Sequence, residues 1–122
     1  MNFNKEQVKQ ILTGTEQGLN IKYYADPKFT SLQMGEIRLG LLNKVNVLVY
    51  ANKDFNHYQM REIREGLEYN VNVDLYANKD FNQYQMKVIK KELIERNPNV
   101  SLFAKPEFDW LQMKEIALAL KH

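Results

Sequence analysis

The side chains able to do acid–base or metal chemistry are few in this sequence, and they stand in columns. Asp54 and Asp80 lie 26 residues apart in two identical loops, Asn52-Lys53-Asp54 and Asn78-Lys79-Asp80. Two carboxylates brought together could serve as an acid–base pair or hold a cation. That loop position is Lys28 in another copy and Glu107 in a fourth, however, and Lys53 and Lys79 neutralise the two aspartates. Pro27 and Pro106 occupy the Lys53 column, which is turn chemistry. His57 and His122 are the only histidines, and the His57 column holds Ser31, Gln83 and Trp110, so His57 reads as an ordinary surface position. The absence of Cys excludes disulfides, zinc-thiolate sites and thiol catalysis. No Ser-His-Asp set, glycine-rich phosphate loop or metalloprotease helix motif occurs. The residues therefore predict a protein that is not an enzyme, with no catalytic residue, no metal and no cofactor.

What positions these residues is an internal repeat. Tyr24-Ala25, Tyr50-Ala51, Tyr76-Ala77 and Phe103-Ala104 recur at spacings of 26, 26 and 27. Each is followed by a Phe (Phe29, Phe55, Phe81, Phe108), then Gln-Met (Gln33-Met34, Gln59-Met60, Gln85-Met86, Gln112-Met113), then Ile and Leu. Segments 45–67 and 71–93 are identical at 15 of 23 positions. Phe3, Gln7 and Ile11 supply half a unit at the start. The 122 residues divide into one domain made of a half-repeat, 3–18, and four repeats, 19–44, 45–70, 71–97 and 98–122.

Each unit carries two periodicities. Val45-Asn-Val-Leu-Val-Tyr50 and Val71-Asn-Val-Asp-Leu-Tyr76 alternate and are rich in β-branched residues, which predicts strands. Met34, Ile37 and Leu41, with their equivalents, fall on one helix face. Asn4, Thr30, Asn56, Asn82 and Asp109 are good N-caps, and each has Gln three residues later, which is the capping-box spacing. The Phe before each cap and the Met or Val after it have staple spacing. Gly18, Asn70 and Asn97 suit left-handed helix ends, with Lys44 as a departure from that pattern. Strand, loop, helix and return predict an α/β fold. It is an α(βα)4 array whose four-stranded parallel sheet runs in the order 1-2-3-4, with all helices on one face, a short solenoid.

Such a sheet leaves one face uncovered. Strand alternation puts Asn20, Asn46, Asn72 and Asn99 on it in one column, and Tyr24, Tyr50, Tyr76 and Phe103 in another. Rigid aromatics beside hydrogen-bonding Asn suit a protein interface, and the same ladders would also stabilise a repeat by stacking. Trp110, the sole Trp, is a further candidate anchor near the helix starts, or the array's C-terminal cap. Open sheet edges, blunted only by Pro98, predict a homodimer.

Net charge is +2 with 17 basic and 15 acidic residues, too balanced to imply nucleic-acid binding. The absence of a membrane-length apolar run and of an apolar leader segment, with no Cys, predicts a cytoplasmic protein that does not enter a membrane. Asn, at 13 residues, is the compositional excess, and the repeat assigns most of it to caps, turns and the sheet column.

The consensus Tyr-Ala-x3-Phe-x3-Gln-Met-x2-Ile-x3-Leu, as in Tyr24–Leu41, resembles a repeat in small proteins of bacterial phages and mobile elements, and the resemblance spans 19–120. It implies an antirestriction or anti-CRISPR type of role in a bacterial host: an inhibitor binding a CRISPR effector or other defence protein, with no catalytic motif to carry over. The alternative from the residues is a single-stranded nucleic-acid binder using the aromatic column as a stacking platform.

Overall fold

The described residues, 2–121 of a computed structural model, form six α-helices. They are α1 (Lys5–Glu16), α2 (Ser31–Leu42), α3 (His57–Glu68), α4 (Gln83–Ile94), the one-turn α5 (Val100–Phe103) and α6 (Trp110–Ala119). Short 3-10 turns at Ile21–Tyr23, Val47–Val49 and Val73–Leu75 stand before α2, α3 and α4, and α5 takes that place before α6. No strand occurs among the described residues. The α/β expectation is therefore corrected. There is no four-stranded parallel sheet in the order 1-2-3-4, no open sheet face, and no βα solenoid. The predicted sheet edges that argued for a homodimer are absent with it.

The reason lies in an Asn near the start of three of these segments, Asn20, Asn46 and Asn72. The Asn46 side chain accepts a hydrogen bond from the Leu48 amide at 3.2 Å, and Asn20 and Asn72 do the same for Lys22 and Asp74. This Asx turn curls the chain where a strand would stay extended. The Ala51 amide then closes on the Val47 carbonyl at 2.8 Å. A six-residue apolar run fits i, i+3 as well as i, i+2. The structure uses i, i+3: Val47 with Tyr50, Val73 with Tyr76, and Val100 with Phe103 are buried.

The helix starts form as their residues dictate. All five long helices carry a complete capping box, with Asn4, Thr30, Asn56, Asn82 or Asp109 paired to the Gln three residues on. The Gln has a second task. Gln7, Gln33 and Gln85 donate from Nε2 to the carbonyls of Phe29, Phe55 and Phe108 at 2.6 Å, and Gln59 donates to Phe81 at 2.7 Å. Each accepting carbonyl lies just before the next helix cap. The helix starts therefore align along one edge, and neighbouring helices run parallel. Gln59→Ala is expected to cost about 2–4 kcal/mol, because it removes a cap partner and strands a buried carbonyl. Gln112, exposed and with no such carbonyl to reach, should cost about 1 kcal/mol when replaced by Ala. Urea unfolding of both variants checks this contrast.

The helices end in left-handed residues at Gly18, Lys44, Asn70 and Arg96, with φ of 73°, 61°, 59° and 61°. The fourth falls on Arg96, one residue before the expected Asn97. Asn97 instead donates from Nδ2 to Glu92 Oε1 at 3.1 Å.

The core is a row of Met34, Met60, Met86 and Met113 with Ile37, Ile63 and Ile89, closed by Tyr24, Tyr50, Tyr76 and Phe103. The three tyrosine hydroxyls donate to the carbonyls of Gln10, Glu36 and Glu62 in the preceding helix, each at 2.6 Å. Burial pushes all three phenols above their usual range. A folded pKa raised above the unfolded one gives stability that is complete below about pH 10 and lost as pH rises, by about 1.4 kcal/mol per unit for each fully shielded tyrosine. Urea midpoints are expected to hold to pH 10 and then fall steeply. The fall should be shallower in Tyr50→Phe/Tyr76→Phe, and an equally steep fall there would remove the tyrosines as its cause.

Candidate functional site

The seams between neighbouring helices are sealed by long polar side chains, with one exception. Between α1 and α2, Arg38 Nε donates to Gln10 Oε1 at 2.9 Å and Nη1 to Gln17 Oε1 at 3.0 Å. Between α2 and α3, Arg64 Nε donates to Glu36 Oε1 at 3.1 Å, and within α3 its Nη1 donates to Glu68 Oε2 at 2.7 Å, which also accepts from Asn43 Nδ2 at the end of α2. Between α3 and α4, Lys90 Nζ lies 2.7 Å from both Glu62 Oε1 and Glu65 Oε1. Burial opposes the charge on Arg64 and Lys90, but their carboxylate partners outweigh it and both pKa values rise.

One repeat further on, the columns that hold Glu62 and Lys90 hold Val88 and Ala117. Among the described residues, ion pairs cross the seam between α4 and α6 only beyond that point, from Lys121 to Glu92 and Glu95. A groove of about 640 Å³ opens there. Val88 and Tyr84 line it from α4, and Trp110, Leu111 and Leu118 from α6. Its banks carry Lys87, Lys91, Lys114 and Lys121 against Glu92 and Glu115. Glu92 is 5% exposed and is occupied by Lys121 at 3.3 Å and by Asn97. Hydrogen bonding to Glu92 raises the Lys121 pKa, with burial opposing it. Lys114 Nζ sits 5.6 Å from the centre of the Trp110 ring.

The groove joins an apolar stripe. Leu32, Tyr58, Tyr84 and Leu111 hold the second position of α2, α3, α4 and α6, and each is about half exposed. Neighbouring helices pack roughly 10 Å apart. The four side chains therefore form a row along the helix-start edge that enters the groove at Tyr84 and Leu111. The corresponding residue in α1 is Glu6, which ends the row.

The residues expected to bind are divided differently. Tyr24, Tyr50, Tyr76 and Phe103 are 0% exposed, so neither an interface nor a base-stacking platform can use them. A strand would have placed them opposite the valines; the 3-10 and helical turns place them beside the valines, against the preceding helix. Asn20, Asn46 and Asn72 are exposed but serve as caps of the 3-10 turns, and Asn99 donates from Nδ2 to the Leu120 carbonyl at 3.3 Å. They form no column on a shared face with the aromatics. Trp110, 38% exposed, is the one candidate that lies in the groove. Its sequence reading missed Tyr84, Leu111, Leu118 and Val88. The signal for these was the break in repeat columns at Val88 and Ala117.

Asp54 and Asp80 stay in exposed loops, where their amides donate to Asn52 and Asn78. His57 lies against Tyr58, with ring centroids 3.9 Å apart, and His122 falls outside the described residues. Among the described residues no three His, Asp or Glu side chains gather as metal ligands, and no helix is long and apolar enough to cross a membrane. No family model matches the chain, and neither does any curated protein or solved structure.

Proposed function

We propose that the chain is a non-enzymatic protein-binding repeat module and that its partner seats in the α4–α6 groove, with Tyr84 and Trp110 at the mouth. The observation that carries this is the unsealed seam. Three seams are closed by polar ladders, and the fourth, bridged only at its far end by Lys121 with Glu92 and Glu95, keeps an apolar-floored groove of about 640 Å³ with exposed aromatics at its rim. Apolar centres edged by polar residues are where protein partners gain most of their affinity. A non-catalytic role is supported by the buried polar side chains. Gln7, Gln33, Gln59, Gln85, Glu36, Arg64, Glu92 and Asn97 have hydrogen-bond partners within the array, and Glu62 has its ion pair with Lys90, so each is tied to the fold.

The finer proposal, from the resemblance to phage and mobile-element repeats, is an inhibitor of a host defence complex such as a CRISPR effector. The test is purification of tagged chain from bacteria expressing such a complex, beside the variant Leu118→Glu. Leu118 is 62% exposed, so the variant should fold. Co-purification by the native chain that the variant loses is the expected result. An effector retained equally by both would place binding elsewhere. No effector on either would end the defence reading.

A further inference from the structure

Resting on the reading of the α4–α6 groove as a protein site, we infer that its occupant is an acidic amphipathic helix of about three turns. The apolar contacts define its length. Leu111 and Leu118 stand seven residues apart on α6 and both line the groove, a rise of about 10 Å along the helix axis. A partner helix lying along the seam meets the same interval with apolar residues at i, i+4 and i+7. Val88 and Tyr84 supply the facing bank.

The backbone needs of the occupant select a helix. Both banks are helices whose amides and carbonyls are internally bonded, so they offer no ladder to an incoming strand. A helix brings its own hydrogen bonds and needs only side-chain contact.

Charge selects the sign. Four lysines stand on the banks against two glutamates. Glu92 is buried and paired with Lys121, so those two charges offset each other. Among the described residues, Lys87 and Lys114 have no carboxylate within ion-pair distance, and Lys91 has a 3.6 Å contact with exposed Glu95. The sole exposed carboxylate of the lining is Glu115. Lys87 and Lys91 lie one turn apart on α4, with Lys114 on the opposite bank. Carboxylates flanking an apolar row would meet a cation on each side.

The experiment is fluorescence anisotropy of the full chain with a labelled designed helix of about 18 residues, long enough to fold on contact, carrying Leu at i, i+4, i+7 and i+11 among Glu. Companion probes replace its Glu by Lys, replace its Leu by Ala, or are an oligothymidine of similar length. The acidic Leu peptide is expected to bind at least about tenfold more tightly than the basic one, and to weaken several-fold between about 0.05 M and 0.5 M salt. The Ala peptide and the oligonucleotide should not bind. Lys87→Glu/Lys114→Glu should reverse the charge preference. Val88→Glu/Ala117→Lys, which rebuilds the ladder pair of the other seams, should refill the groove and abolish binding; Leu118→Glu should abolish it too. Circular dichroism verifies that each variant is folded.

Equal binding of the basic and acidic peptides, both lost in Leu118→Glu, would overturn the acidic assignment while leaving a protein-binding groove. Binding of neither peptide would overturn the groove as well. Tighter binding of the oligonucleotide, lost in Lys87→Glu/Lys114→Glu, would overturn both in favour of nucleic acid.

Discussion

Gly66→Ala is expected to destabilise the chain by about 2–4 kcal/mol, although Gly→Ala in a helix interior normally gains about 1 kcal/mol. The reversal of sign comes from Tyr76. A Cβ on Gly66 would overlap the Tyr76 hydroxyl and lie 2.7 Å from Val73 Cγ1. The hydroxyl is held there by its bond to the Glu62 carbonyl, four residues before the glycine, and cannot withdraw without losing that bond. Gly14 with Tyr24 and Gly40 with Tyr50 repeat the arrangement. In the fourth copy both members change together: Phe103 has no hydroxyl, and Glu92 stands in the glycine column. The chain thus contains its own double replacement. Tyr24→Phe alone should cost about 1–1.5 kcal/mol for the lost bond. In the Tyr24→Phe background, Gly14→Ala should cost much less than in the native chain, a coupling of at least about 1 kcal/mol. Rescue at Gly66 by Tyr76→Phe should be smaller, because the Val73 contact remains; at Gly14 the nearest remaining atoms are at 3.1 and 3.2 Å. Gly35→Ala is the control, since its Cβ would meet only the flexible Gln10 side chain at 3.4 Å, and a gain of about 0.5–1 kcal/mol is expected. Urea unfolding of the set gives the cycle. Additive effects at Gly14 and Tyr24 would refute the steric account.

The same residues show why some of the fold was legible and some was not. The long helices could be read because their signals are local: cap and Gln three residues apart, with Met and Ile on one face. The connecting segments were ambiguous for the same reason of locality. Val45 to Tyr50 is short enough to satisfy either a strand or a helical turn, and the arbiter was the Asn46 side chain bonding two residues ahead. That one misreading moved the whole tyrosine column from a supposed surface to the core. The groove had a trace in the sequence, the loss of charge at Val88 and Ala117. Recognising it required knowing that Glu36 faces Arg64 and that Glu62 faces Lys90. These partners lie 28 residues apart, not 26. The offset is set by how parallel helices stagger when they pack, and the repeat length alone does not contain it. Trp110 was found because it is the sole Trp of the chain.

Lys90→Ala is expected to cost about 3–5 kcal/mol, the usual penalty for leaving one member of a buried pair behind. The orphan is Glu62, which is 8% exposed and 2.7 Å from Lys90 Nζ. Glu65 matters less, because its side chain is 35% exposed and water can serve it. The double variant Glu62→Val/Lys90→Ala installs the residues of the α4–α6 seam, Val88 and Ala117, between α3 and α4. It should cost only about 1–2 kcal/mol, because no charge is left buried and the array already tolerates a small apolar pair at one seam. The double variant distinguishes the cause: a deficit there as large as that of Lys90→Ala would assign the loss to packing of the lysine stem. The double variant should also open a second apolar groove between α3 and α4, lined by Tyr58 and Tyr84 on the same edge. If the acidic helix then binds at two sites, the missing ladder pair is what makes the site. If the second groove stays empty, the lysines on the α4 and α6 banks are required as well.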